Sequence, residues 1–118
     1  MPDPAIVARV LICEPHDDIS ALLELVVRRL GHEPVGFDGG DPEVVDAAVI
    51  EPGEEHGLRL ARRLREHGVP VLFTSIYPAE EATLELGPAA YLVKPFPLYA
   101  LERALRAALD PVPTAAAV

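Results

Sequence analysis

The chain has 118 residues, half of them hydrophobic and a quarter charged, which suits one packed domain and is too apolar for a disordered chain. A formal charge of −9 disfavours nucleic acid and anionic lipid as main partners. No run approaches the roughly 20 apolar residues that span a bilayer, no secretory leader is read at the start, and the lone Cys13 excludes an internal disulfide, so a cytoplasmic protein is the expectation.

In chain order, Ala8 to Cys13 is a continuous apolar run, as in a strand covered on both faces. Ile19, Leu22, Leu23, Val26, Val27 and Leu30 then recur at helical spacing, with Asp17 or Asp18 as the expected N-cap and Gly31 as the C-cap. Glu33 to Phe37 is a weak strand, and Pro34 and Gly36 place it at a sheet edge. Asp41 and Pro42 open a second helix with room for only a turn or so. Ala47 to Ile50 forms the third strand. A third helix from Leu58 to His67 buries Leu60, Ala61 and Leu64 and turns Arg59, Arg62, Arg63 and Arg65 to solvent, and Gly68 ends it. Val69 to Ser75 is the fourth strand, Pro78 to Leu86 a short fourth helix, and Ala89 to Val93 the fifth strand. The last helix opens at Pro97 and lines up Leu98, Leu101, Leu105 and Leu109. A domain over 1–110 and a flexible tail over 111–118 follow.

Strands alternating with helices predict an α/β fold: an open, parallel, five-stranded sheet of flavodoxin type, (βα)5, with shortened second and fourth helices. Such folds gather functional groups beyond the carboxyl ends of the strands. That position picks out Glu14 after the first strand, Glu51 after the third, Thr74 and Ser75 closing the fourth, and Lys94 after the fifth. Nine of the ten basic residues are arginine, and Lys94 is the only lysine.

The segments RVLICEPHDDISALL, DAAVIEPG, VPVLFTS and GPAAYLVKPF resemble the receiver domain of bacterial two-component response regulators over roughly residues 8 to 110, with YLVKPF the most specific motif. The resemblance implies strand order 2-1-3-4-5. It also implies an acidic pocket holding Mg²⁺, a phosphoacceptor aspartate after the third strand, a hydroxyl after the fourth and a lysine followed by a proline, commonly cis, after the fifth. Carried over by position, the acceptor place is Glu51, the acidic pair falls on Glu14 and Pro15, the switch residues are Ser75 and Tyr91, and the lysine and proline are Lys94 and Pro95. The loop after Glu51 is shorter than usual for the family. Glutamate adds a methylene and proline offers no ligand atom, so the phosphoryl-transfer half departs from the pattern while the switch half remains.

Glu51 reaches about 1.5 Å further than an aspartate, toward Lys94 and Ser75, and partly imitates an acyl-phosphate. At 4 Å and an effective dielectric near 20 its attraction to Lys94 is about 4 kcal/mol before desolvation. The expectation is a stand-alone atypical receiver held in one, active-like state, not an enzyme. It would act without phosphorylation as an interaction module for a kinase, effector or output protein, or for a second copy through the fourth helix, fifth strand and fifth helix. The alternative is a working phosphotransfer receiver that takes phosphate from a histidine kinase and holds Mg²⁺ through Glu14 with help from His16, Asp17 and Asp18. No cofactor is otherwise expected, although weak Mg²⁺ binding stays open. Plainer readings stand beside these: Glu51 as a solvated strand-end acid, Ser75 as an ordinary strand-end hydroxyl, Lys94 as a surface lysine and Tyr91 as core. Cys13 and His16 have C-x-x-H spacing but lack the further ligands a zinc site needs.

Overall fold

The computed structural model describes residues 7–38 and 44–109. Five strands, β1 (Arg9–Cys13), β2 (Glu33–Gly36), β3 (Ala47–Ile50), β4 (Val71–Ser75) and β5 (Ala90–Val93), pair in parallel in the order β2-β1-β3-β4-β5. Four helices are described: α1 (Asp17–Arg29), α2 (Gly57–Glu66), α3 (Glu81–Leu84) and α4 (Leu98–Leu109). The last three are the third, fourth and fifth helices of the sequence reading. The short helix expected at Asp41 and Pro42 lies partly outside the described residues, as do the 110/111 boundary and the tail.

The sheet separates two cores because strand side chains alternate between its faces. Leu11, Cys13, Ala48, Ile50, Val71 and Phe73 meet α2 through Leu60, Ala61 and Leu64. Val10, Ile12, Val49 and Leu72 meet Leu23, Val26 and Val27 of α1 and Leu101 and Leu105 of α4. Each fully buried leucine contributes roughly 1.5–3 kcal/mol relative to exposure. The three interior strands therefore read as unbroken apolar runs, while β2 at the edge tolerates Pro34.

Three local readings are corrected. His16, not Asp17 or Asp18, is the N-cap of α1, and it makes no side-chain capping bond. The two aspartates stand in the first helical turn instead, where negative charge favours the helix dipole. Arg65 is half-buried rather than solvated: its Nε donates to the Leu86 carbonyl (3.1 Å) and its Nη1 to the Val69 carbonyl (3.4 Å), pinning α2 to the end of the α3 segment. Phe37 falls just beyond β2 and packs edge-on against His56, ring centroids 6.0 Å apart. α3 is a single turn, closed by Thr83 Oγ1, which accepts from the Glu80 amide and donates to the Glu80 carbonyl. Gly31 and Gly68 follow α1 and α2 at φ +87° and +76°, the left-handed geometry that ends a helix readily only at glycine.

Candidate functional site

Parallel pairing brings the carboxyl ends of β1, β3, β4 and β5 to one edge, and the residues after them meet there. The Glu51 amide donates to the Cys13 carbonyl (2.9 Å), and the Lys94 amide donates to the Ser75 carbonyl (2.6 Å), so the ladders run one step past the strands. Lys94 then lies between two carboxylates. Its Nζ donates to Glu14 Oε1 at 2.8 Å and to Glu51 Oε2 at 3.0 Å.

The second oxygens are also engaged. Glu14 Oε2 accepts from the His16 amide (3.2 Å) and stands 3.1 Å from His16 Nδ1. Glu51 Oε1 accepts from the Gly53 amide at 2.8 Å. The Glu14 side chain is fully buried, and those of Lys94 and Glu51 are 11% and 12% exposed. Burial pulls the Lys94 pKa down, but the hydrogen bonds and charges of Glu14 and Glu51 together outweigh it, and the pKa stands above the usual lysine value. The ammonium is therefore fully charged at neutral pH. The short loop after Glu51 depends on Gly57: a Cβ there would lie 2.5 Å from the Glu51 carbonyl oxygen, so α2 can begin this close to β3 only with glycine.

Ser75 sits at the same edge, but its hydroxyl does not reach Glu51. It accepts from the Tyr77 amide at 3.1 Å, closing the turn after β4. Tyr91 both packs and hydrogen-bonds. Its ring packs on Phe73 (centroids 6.1 Å), and its hydroxyl donates to the carbonyls of Tyr77 (2.9 Å) and Pro78 (3.3 Å). The β4–α3 turn is thereby tied to β5. The Lys94–Pro95 bond is cis. Thr74 Oγ1 is fully buried and without a hydrogen-bond partner.

The residues present do not fit a Mg²⁺ cage. A hard cation takes several oxygen ligands, yet Pro15 supplies none and both carboxylates already share an ammonium. Asp17 and Asp18 are exposed on α1, and no group of three or more His, Cys, Asp and Glu comes together among the described residues. Cys13 and His16 also diverge. The thiol donates to Glu54 Oε2 at 3.2 Å, whereas His16 faces Glu14. Burial foremost, then the bond to Glu54 and the charges of Glu54 and Glu14, push the Cys13 thiol up to about 12, so it stays protonated. Glu54 was missed from sequence. Its only mark there was membership of the acidic loop Glu51–Glu55, which does not say which acid turns inward.

No protein-family model and no curated protein matches the chain. Solved structures match it in shape. It is similar to a response regulator from Thermotoga maritima, with 18% identity over 89% of this chain and 99% of that one and a TM-score of 0.75. It is similar to an orphan response regulator of H. pylori, with 22% identity, coverage of 92% and 100%, and a TM-score of 0.74. The signal receiver domain of a modulated diguanylate cyclase from Desulfovibrio desulfuricans G20 matches at 26% identity, coverage of 87% and 94%, and a TM-score of 0.72. The chain has the response-regulator receiver fold.

Proposed function

We propose that the chain is an atypical receiver domain of two-component signalling, working as a phosphorylation-independent protein-interaction module and not as an enzyme. One observation carries this reading: the ammonium of Lys94 is bonded to Glu51 and Glu14 together. In a phosphorylated receiver the lysine would grip a phosphoryl oxygen. Here a genetically encoded carboxylate occupies the lysine, and the donor set supports a site that works without Mg²⁺. Partner recognition then belongs to a surface held in one state. The face of α3, β5 and α4 suits a protein partner or a second copy, because Leu84, Val93 and Tyr99 are exposed along it while Leu101 and Leu105 are spent on the core. The acidic chain and the lack, among described residues, of a helix long and apolar enough to cross a membrane support a protein partner in the cytoplasm rather than nucleic acid or bilayer.

The test is a backbone amide NMR spectrum of the full chain alone, with Mg²⁺, and with Mg²⁺ plus beryllofluoride, repeated for Glu51→Gln. The reading expects no response to either addition at millimolar levels, and Glu51→Gln shifts around Lys94, Ser75 and Tyr91. Beryllofluoride-dependent shifts centred on Glu51 would replace it with the phosphotransfer reading.

A further inference from the structure

The outer face of α2 departs from the charge pattern of the rest of the chain. Acids outnumber lysine and arginine by 19 to 10, and arginines on other elements have found them: Arg9 pairs with Glu33, Arg28 with Glu24 and Arg29 with Glu102. On α2, Arg59, Arg62 and Arg63 are all exposed. Among the described residues neither Arg59 nor Arg62 has an acid in salt-bridge range or a hydrogen-bond partner. The helix gains nothing from this arrangement. Residues three and four apart share a helix face, so Arg59 stands beside both Arg62 and Arg63, where like charges destabilise the helix. Arg59 also lies in the first turn of α2, which holds no acid, at the end whose dipole disfavours a cation. The positive charge is left for a group outside the chain to compensate.

We propose that this face docks an acidic segment of a partner protein, one presenting two carboxylates about one helical turn apart. The residue type fits, because the planar guanidinium fork matches a carboxylate. The length of the row decides between anions. From Arg59 to Arg63 the helix rises about 6 Å, the separation of acids three or four residues apart on a partner helix. A nucleic acid strand carries a charge roughly every 3.4 Å well beyond that length. It would run onto Glu55 and Glu66, the exposed acids before and at the end of α2. At about 0.1 M salt charges act over roughly 10 Å, so a partner at α2 meets the arginines rather than the net charge of the chain. The face also connects inward, since Arg65 on the same helix holds the Leu86 carbonyl beyond α3. This inference rests on the reading of the chain as an interaction module but uses nothing of Glu51 or Lys94, so the two can fail separately.

The experiment titrates the full chain with a short polyglutamate peptide, and separately with a single-stranded thymidine oligonucleotide of the same charge, recording amide spectra at about 0.1 M salt. Polyglutamate should shift residues 57–66 and 86–87, less as salt is raised, and should bind more tightly than the oligonucleotide. Arg59→Glu combined with Arg62→Glu changes two exposed positions and relieves like-charge repulsion, so folding is kept. It should weaken polyglutamate binding about ten-fold or more. No shifts with polyglutamate, shifts confined to other parts of the chain, or binding indifferent to the double reversal would overturn the inference. Tighter binding by the oligonucleotide would overturn it by assigning the face to nucleic acid. Shifts of the same residues with protein concentration alone would overturn it by assigning the face to a second copy. Beryllofluoride binding would count against the proposed function and leave this result standing.

Discussion

Replacing Lys94 with methionine removes the ammonium while keeping the aliphatic bulk, and the structure sets the scale of the loss. Two charge-assisted hydrogen bonds disappear, at 2.8 and 3.0 Å, each worth about 1.5–3 kcal/mol. Both carboxylates reach one nitrogen, so their bonded oxygens lie no more than about 6 Å apart; two negative charges at that separation repel by about 3 kcal/mol at an effective dielectric of 20. Methionine recovers part of this through packing, and a loss of about 3–5 kcal/mol is expected at pH 7.5, as for other buried pairs that lose one partner. Urea unfolding of wild type, Lys94→Met, Glu51→Gln and the double variant measures it as a cycle. The double variant should recover about 2–3 kcal/mol relative to Lys94→Met, because the repulsion has gone. Lys94 has a raised pKa in the fold, so its contribution is complete below the ordinary lysine value and is lost as pH rises through the raised one. A loss under about 1 kcal/mol for Lys94→Met, the scale of a surface substitution, would refute the view that one ammonium holds the two acids.

Tyr91→Phe keeps the ring on Phe73 and removes the tie to Tyr77; a loss of about 1 kcal/mol is expected, with faster hydrogen exchange at the Tyr77 amide, and unchanged exchange would count against the tie. Thr74→Val replaces a buried hydroxyl that has no partner with a methyl of the same shape. It should raise the urea midpoint by up to about 1 kcal/mol of stability, and a lowered midpoint would show that the hydroxyl is satisfied. Cys13, with its thiol near 12, has about one molecule in ten thousand as thiolate at pH 8. Iodoacetamide should therefore label the folded chain about a thousand-fold more slowly than the urea-unfolded one, and comparable rates would disprove the burial.

The sheet was legible because four of its strands are apolar runs and the helices between them keep a 3.6-residue spacing. Strand order came from the resemblance rather than from the runs themselves. Glu14, Glu51 and Lys94 could be brought together from sequence because each directly follows a strand, and parallel pairing sends all strand ends to one edge. What lay beyond that edge was less legible. The Ser75 hydroxyl was expected to face Glu51, yet a two-residue turn offers it the nearer Tyr77 amide, and local bonds of this kind compete effectively with distant ones. Arg65 looked like one of four similar arginines. The approach of the α3 segment, twenty-one residues on, gives its Nε the Leu86 carbonyl to bind. Glu54 was hidden likewise, since the direction of an acid within a five-residue loop depends on the thiol that meets it.

The two halves of the site differ in how easily they can move. Separating Lys94 from its carboxylates costs several kcal/mol on the figures above, so that arrangement is effectively permanent under native conditions. The Tyr91 hydroxyl tie is worth about 1 kcal/mol, and an interaction of that size shifts a two-state population by only about five-fold. On the proposed function, a signal reaches this chain most cheaply through the β4–α3 turn, where a ligand or partner need prefer one turn conformation by a modest factor. Moving the equilibrium from 1:99 to 99:1 takes about 10⁴-fold discrimination, more than the tie alone can transmit. On the proposed function, regulation of such a site is graded adjustment of a surface already in place, in contrast to a switch driven by gaining and losing a phosphoryl charge. The turn carrying Ile76 and Tyr77 is where that adjustment would act.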